Sequence, residues 1–372
     1  MKIKAISLHN FRNHKNFHLE FNTGVTTIVG RNGLGKTNIV EAINFATSLS
    51  SHRVSSNEPL IMHNEQSAEV VVVAQKHNRQ AKISISLNRN QNNTVQLNDA
   101  PVRRPRDIVG VLQVVIFSPE DLDLVRGDPS LRRKFIDTFM MLYTPRVADI
   151  KQDYDRALKQ RNSLLKSNGR KTLSETVQQT LEVWDEQLVT YGAQLVEHRL
   201  KSIEILKPFI QHFGDVISGN NEPLDIAYSS SWLQNQSSSL TEISQDFYES
   251  LNVRRNEEVD RGITLSGPHR DDLLLTLNGA PVKGYASHGQ SWSAAIALKM
   301  ATFQALREHD GDPILILDDV FAELDAARRE RLTQLIHDVE QTIITVANLA
   351  DVPQLLQGTH VWLEDSGQDV ES

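Results

Sequence analysis

The run Thr23-Gly24-Val25-Thr26-Thr27-Ile28-Val29-Gly30-Arg31-Asn32-Gly33-Leu34-Gly35-Lys36-Thr37 decides how the rest of the chain is read. Val25, Ile28 and Val29 read as a short buried strand. Gly30 to Thr37 spell G-x-x-x-x-G-K-T, the phosphate-binding P-loop pattern. Apolar residues return at Ile39, Val40, Ile43 and Leu49, a spacing that predicts a helix opening near Gly35. The motif thus lies between a strand and a helix N-terminus. Gly30, Gly33 and Gly35 free the backbone for conformations that a side chain would block. The exposed N–H groups and the helix dipole then face an anion. The stretch Gly30, Arg31, Asn32, Gly33, Leu34, Gly35, Lys36 and Thr37 is expected to bind a nucleotide. Lys36 would reach the β- and γ-phosphates, and the Thr37 hydroxyl would hold Mg²⁺.

Working outward, residues 1–22 predict a β-hairpin from the period-two pattern Ile6/Leu8 and Phe17/Leu19/Phe21. Its connection, His9 to Asn16, carries Arg12, His14 and Lys15. These residues either touch nucleotide or DNA or form a solvated turn. Glu69–Ala74, Ala81–Leu87 and Thr94–Leu97 read as an antiparallel β-layer, with turns at His77-Asn78 and Asn88–Asn93. Pro101–Arg106 is a basic segment, either plain surface or a nucleic-acid contact. Val111–Phe117 reads as a buried strand. Asp128 is a plausible N-cap with Pro129 at the first helical position.

From Arg146 the pattern predicts a helical hairpin. Val147, Ile150, Tyr154 and Leu158 mark a first helix of about 20 residues, roughly 30 Å long. Asn168-Gly169 would turn the chain. Val177, Leu181, Trp184, Leu188, Tyr191 and Leu195 mark a second helix ending near Pro208. Leu224, Ile226 and Tyr228 read as a strand, Gln234–Ser239 as a loop, and Ser239-x-x-Glu242 as a capping box opening another helix. Strand character is expected to resume at Gly262, with a polar turn Ser266-Gly-Pro-His-Arg-Asp-Asp272 before Leu273–Leu277. A small-residue helix spans Ala294–Leu306, and another spans Arg328–Val339. Gln341–Val346 reads as a last core strand, and 365–372 as a frayed end.

Two further elements carry chemistry. Ile314-Leu-Ile-Leu317 ends in Asp318-Asp319, the Walker B form, which places a carboxylate near the P-loop Mg²⁺. Asp319 is then the candidate to orient the attacking water. Ser287-His-Gly289-Gln290 opens a helix and forms a second small anion site.

Composition sets bounds. The 372 residues suggest two domains or one with a large insertion, and a 39% hydrophobic, 23% charged chain is globular. There is no cysteine, which excludes disulfides, thiolate metal sites and a Cys nucleophile. No signal-peptide core and no apolar run of spanning length appears, so a cytoplasmic protein without a membrane partner is expected. The net charge of −8 confines any nucleic-acid contact to a local patch.

The order of P-loop, helical insertion, Ser-x-Gly-Gln, Asp-Asp and Glu323-Leu-Asp325 resembles the SMC-like branch of the ATP-binding-cassette proteins. Pro119–Asp137, Leu315–Leu332 and Ser266–Asp272 are similar to segments of the bacterial RecF family. The resemblance covers essentially the whole chain. It implies an α/β fold: a cassette-type P-loop head with an antiparallel β-layer and an inserted short, mainly helical arm. The expected parts are 1–118 and 259–372 for the head and 119–258 for the arm.

The resemblance also implies an ATP-dependent DNA-binding protein of recombinational repair and replication, with weak DNA-stimulated ATPase activity. Its implied ligands are ATP, Mg²⁺, double-stranded DNA and gap junctions. Its implied partners are RecR with RecO, and a second copy in an ATP-dependent head-to-head dimer. Ser287, Gly289 and Gln290 would close over the partner's nucleotide. Lys36 and Asp319 would be catalytic, Thr37 and Asp318 metal-side, and Asp325 a dimer-contacting residue. Arg103, Arg104, Arg132 and Arg133 are candidate DNA contacts.

The chain departs from the family at Trp292, which would pack on the partner, and at Asn348, where cassette proteins carry a histidine. Gln113 is not assigned. A transporter's nucleotide-binding subunit and a metabolic kinase are the competing readings.

Overall fold

The computed structural model describes residues 1–51, 53–54, 56–76, 79–168, 174–219, 222–234 and 239–364. The expected turns at His77-Asn78 and Gly169, most of the 234–239 loop and the tail 365–372 lie outside the described residues. Two compact units are present. The head comprises Met1–Leu122, Phe209–Glu222 and Ser287 onward; the arm comprises Asp123–Pro208 and Pro223–Ala286.

Fourteen strands are described: β1 Lys2–Phe11, β2 His14–Glu20, β3 Gly24–Val29, β4 Ser67–Lys76, β5 Arg79–Asn88, β6 Thr94–Leu97, β7 Ala100–Pro101, β8 Val114–Phe117, β9 Leu224–Ser229, β10 Asp272–Leu277, β11 Ala280–Pro281, β12 Ile314–Asp318, β13 Gln341–Val346 and β14 Thr359–Trp362. The helices are α1 Lys36–Ser48, α2 Leu122–Arg126, α3 Pro129–Tyr143, α4 Val147–Asn168, α5 Glu175–Ser218, α6 Leu240–Arg261, α7 Val282–Tyr285, α8 His288–Asp310 and α9 Ala326–Ile336.

The head holds two sheets. One is antiparallel in the order β2-β1-β4-β5-β6-β7; the other is parallel in the order β14-β3-β13-β12-β8. Helix α1 touches strands of both, and one apolar core runs from Ile6 and Val70 through Ile39 and Ile43 to Ile316 and Ile343. β12 lies between two parallel neighbours and is buried at every residue, which is why it reads Ile-Leu-Ile-Leu without alternation. In β1 the core residues Ile3 and Ile6 are three apart because a bulge between Ile3 and Ala5 shifts the register.

The arm pairs α4 and α5 antiparallel, as expected. Leu165 packs with Leu181, Arg161 bonds Asp185, and a Cβ on Gly192 would meet Tyr154. Leu181, Leu188 and Leu195 are fully buried, one per heptad. Beside the helices is a small antiparallel sheet, β11-β10-β9.

Four expectations are corrected. β8 starts at Val114, not Val111, because Gly110 turns the chain (φ +87°) and Val111 N–H donates to Ile108. α5 does not end near Pro208 but runs on for ten residues, 44 in all and about 66 Å long. Leu206, Ile210, Phe213 and Ile217 continue its buried stripe, and that packing outweighs the roughly 3 kcal/mol cost of an interior proline. Gly262 does not resume a strand; it is the left-handed C-cap of α6, its N–H bonded to Glu258 O. β13 is not the last core strand, since β14 follows and pairs with β3.

Candidate nucleotide site

β3 delivers the chain to Gly30, and α1 begins at Lys36. Gly33 (φ +91°) and Gly35 (φ +99°) take left-handed conformations. Gly30 does not; its missing Cβ instead admits Leu363, 3.1 Å from where that atom would lie. Gly35 is doubly constrained, because a Cβ there would sit 2.5 Å from both Asn13 Oδ1 and His14 Nε2. The hairpin turn therefore backs the P-loop directly. His14 is buried, which holds it neutral, and its Nε2 bonds Gly35 O at 3.1 Å. No side chain caps α1, so its first N–H groups keep the arrangement that suits phosphate oxygens.

Lys36 is buried. Its ammonium donates to Gly30 O at 2.7 Å, lies 3.4 Å from Arg31 O and Asn32 Oδ1, and stands 4.0 Å from Asp319 Oδ2. Leu34 N–H donates to Arg31 O and closes the loop.

β12 sets the two aspartates against this loop. Asp318 Oδ1 accepts from Thr37 Oγ1 at 3.3 Å and from Thr345 Oγ1 at 2.5 Å. Burial pushes the Asp318 carboxyl up to about 6; the threonine bonds oppose the rise, and the Asp319 charge adds to it. Asp319 lies past the strand end in a left-handed conformation (φ +52°), with its N–H on Thr345 O and Oγ1. Its carboxyl is also raised by burial, opposed by the Lys36 ammonium and reinforced by Asp351 and Glu120. Asp318 thus feels the charges of Asp319 and Glu120, and Asp319 those of Asp351 and Glu120 beside the Lys36 ammonium. The donor set fits a hard divalent cation with a phosphate chain, because a cation offsets both the burial that raises the two aspartates and the lesser repulsion that adds to it.

Glu120 and Asp351 were not singled out from the sequence. Glu120 carried a signal, since it follows β8, the strand paired with β12.

Ser287 caps α8 in a reciprocal box. Its Oγ accepts from Gln290 N–H at 3.2 Å, and Gln290 Oε1 accepts from Ser287 N–H at 2.9 Å. Among the described residues, Ser287, Gly289 and Gln290 make no hydrogen bond to the P-loop or the aspartates.

Several expectations fail. Trp292 does not face a partner; it is 2% exposed, inside the fold. Arg12 is not a solvated turn residue, because it forms a two-pronged pair with buried Glu41. Arg132 is buried against Asp272, and Arg133 donates to Asp271 O, so neither is a free DNA contact. Arg104 pairs with Asp107, whereas Arg103 is exposed. Asn348 caps a short turn through Ala350 N–H.

The chain matches the family model described as RecF/RecN/SMC N terminal domain over residues 2–356. A Frankia alni protein named DNA replication and repair protein RecF is 43% identical over 96% of this chain and 97% of its own length. A Kineococcus radiotolerans protein of the same name is 42% identical over 97% and 96%. Among solved structures, one of the recombination mediator protein RecF-ATP in the RecFOR pathway superposes with a TM-score of 0.90 at 30% identity, covering 99% of this chain and 96% of that one. A Pyrococcus furiosus Smc head shares the fold, with a TM-score of 0.54 at 18% identity, covering 99% of this chain and 95% of that one. On these grounds, and with the P-loop, paired aspartates and Ser-capped helix in place, the chain belongs to the RecF family.

Proposed function

We propose that this protein is an ATP-dependent DNA-binding protein of recombinational repair and replication-fork maintenance. In this reading it binds Mg-ATP and dimerises head to head on double-stranded DNA near single-strand gaps. It hydrolyses ATP slowly, stimulated by DNA, and releases. It acts in the cytoplasm with RecR and RecO to load recombinase and supports the SOS response. The names of its relatives and the ATP-bound RecF structures support this reading. No described helix is long and apolar enough to cross a membrane.

The observation that carries the reading is the convergence of Lys36, Thr37, Asp318 and Asp319 on the uncapped start of α1. Backbone N–H groups of Gly33 to Thr37 would bind phosphate oxygens, and Lys36 would exchange its carbonyl partners for them. Thr37 and Asp318 would hold Mg²⁺, which supplies charge neutralisation on the phosphates. Asp319 would orient the attacking water. Phosphoryl transfer needs mainly positioning and charge stabilisation, and these groups supply both. Ser287, at the N-terminus of a long helix, would stabilise the partner's γ-phosphate.

Sedimentation with and without Mg-ATP and gapped duplex tests this. We expect ATP to double the mass and tighten duplex binding. We expect that affinity to fall steeply with salt, because a chain of net charge −8 must bind through a local cationic patch. A monomer under all conditions would refute the proposal.

A further inference from the structure

The head segment 209–222 ends where the chain crosses into the arm, and its last residue is Glu222. Glu222 Oε1 accepts from Gln290 Nε2 at 2.9 Å. Gln290 is the residue whose Oε1 completes the Ser287 cap. Both ends of that side-chain amide are therefore engaged. A primary amide is nearly symmetric in shape, but only its oxygen can accept from Ser287 N–H. A carboxylate accepts only. Glu222 thus reinforces the orientation that puts the Gln290 nitrogen toward itself and the oxygen toward Ser287.

The C-terminal end of α5, in the same head segment, is held from α9. Arg331 Nη1 donates to Ile217 O and Ser218 O, both at 2.9 Å, satisfying the last carbonyls of α5. Gly219 is left-handed (φ +66°), and a Cβ there would run into the Arg331 guanidinium. From the same helix, Arg328 Nε donates to Ser293 Oγ at 2.9 Å on α8 and pairs with Asp325. The start of α8 is thereby braced from α9 on one side and from Glu222 on the other.

We propose that Glu222 is a positioning residue for the ATP-dependent dimer: by orienting the Gln290 amide it sets the Ser287 cap that closes on a second copy's nucleotide. This rests on the dimer reading given above. Glu222 touches no nucleotide in this scheme, and the head's own P-loop does not depend on it.

Polarity is the diagnostic. Glu222→Lys presents a donor, so Gln290 must turn its oxygen away from Ser287. Glu222→Gln can still offer an acceptor. We expect Glu222→Lys to weaken ATP-dependent dimerisation about tenfold, the scale of one charge-assisted hydrogen bond. Turnover per head should fall with it, while Mg-ATP affinity at monomer concentrations stays within about twofold. We expect hydrogen exchange at the first turn of α8, measured on the monomer, to quicken in Glu222→Lys and stay slow in Glu222→Gln. We expect Glu222→Gln to dimerise within about threefold of wild type.

Wild-type dimerisation by Glu222→Lys, or equal losses in both variants, overturns the inference. So does a Glu222→Lys that loses Mg-ATP affinity in the monomer, which marks a merely structural role. A wild-type protein that never dimerises overturns the functional reading and this inference together.

Discussion

Asp318 and Asp319 are neighbours with different surroundings. Asp318 ends a buried strand and takes two threonine hydroxyls. Asp319 sits outside the ladder in a left-handed conformation, which turns its carboxylate toward Lys36. Strand alternation alone does not separate them; the backbone reversal at Asp319 does. Asn tolerates that conformation at least as well as Asp, so Asp319→Asn removes charge without adding strain. We expect Asp319→Asn to bind Mg-ATP normally, to lose about 100-fold or more in turnover, and to give a longer-lived dimer on duplex DNA. Asp318→Asn should instead weaken Mg²⁺-dependent ATP binding. Calorimetry and single-turnover hydrolysis on both variants distinguish the roles. Near-normal turnover in Asp319→Asn would remove its catalytic assignment.

The turn Ser266–Asp272 is the polar hub of the arm. Ser266 bonds Ser250, Pro268 O accepts from Arg199, and His269 Nδ1 bonds Tyr154 OH at 2.6 Å. Asp271 accepts from Tyr228 OH at 2.6 Å and Trp232 Nε1 at 2.9 Å, and Asp272 holds Arg132. Burial drives the two titrating groups in opposite directions. It pushes His269 down to about 4 and Asp271 up to about 6. The histidine contributes stability above its ordinary pKa and loses it as pH falls from about 6.5 toward 4. The aspartate costs stability above about 6 and is relieved over nearly the same interval as it protonates. Each effect is about 3 kcal/mol, so they largely cancel. We expect His269→Gln to break the balance. Relative to wild type, it should gain about 3 kcal/mol between pH 7 and pH 4 in urea unfolding. Parallel pH profiles for the two proteins would contradict it. The sequence marked this segment as a polar turn, but its partners lie on α3, α4, α5, α6 and β9, so its role was legible only in three dimensions.

At the scale of the whole molecule, the head's plan was readable because its signals are local. A strand, a glycine loop and a helix are contiguous at Val25–Ile43, and a fully buried strand ends in two aspartates at Asp318. Other features are decided at a distance. β14 is four residues with one buried side chain, Val361, and becomes a strand only by pairing with β3. α5 passes Pro208 because residues beyond it find a core. Arg12, Arg132 and Arg133 look like free cations until Glu41, Asp272 and the Asp271 carbonyl meet them. Assembly also belongs to this scale. We expect Ser287→Arg to keep Mg-ATP affinity in each head and to abolish ATP-dependent dimerisation by light scattering, since the added cation occupies the face that must close. Retained dimerisation in that variant would exclude the Ser287 face from the interface.

Trp292 has a practical consequence. Its indole is 2% exposed within α8, and among the described residues its N–H has no partner, whereas Trp362 is 55% exposed. A shielded, unbonded indole fluoresces at the blue end of its range, and replacing Trp184, Trp232 and Trp362 by Phe would isolate its signal. It lies five residues from Ser287, and the chain has no cysteine to interfere with an introduced thiol dye. In that variant α8 carries its own optical reporter, and energy transfer from Trp292 to a single label on a second copy would time head closure without altering the site that closes.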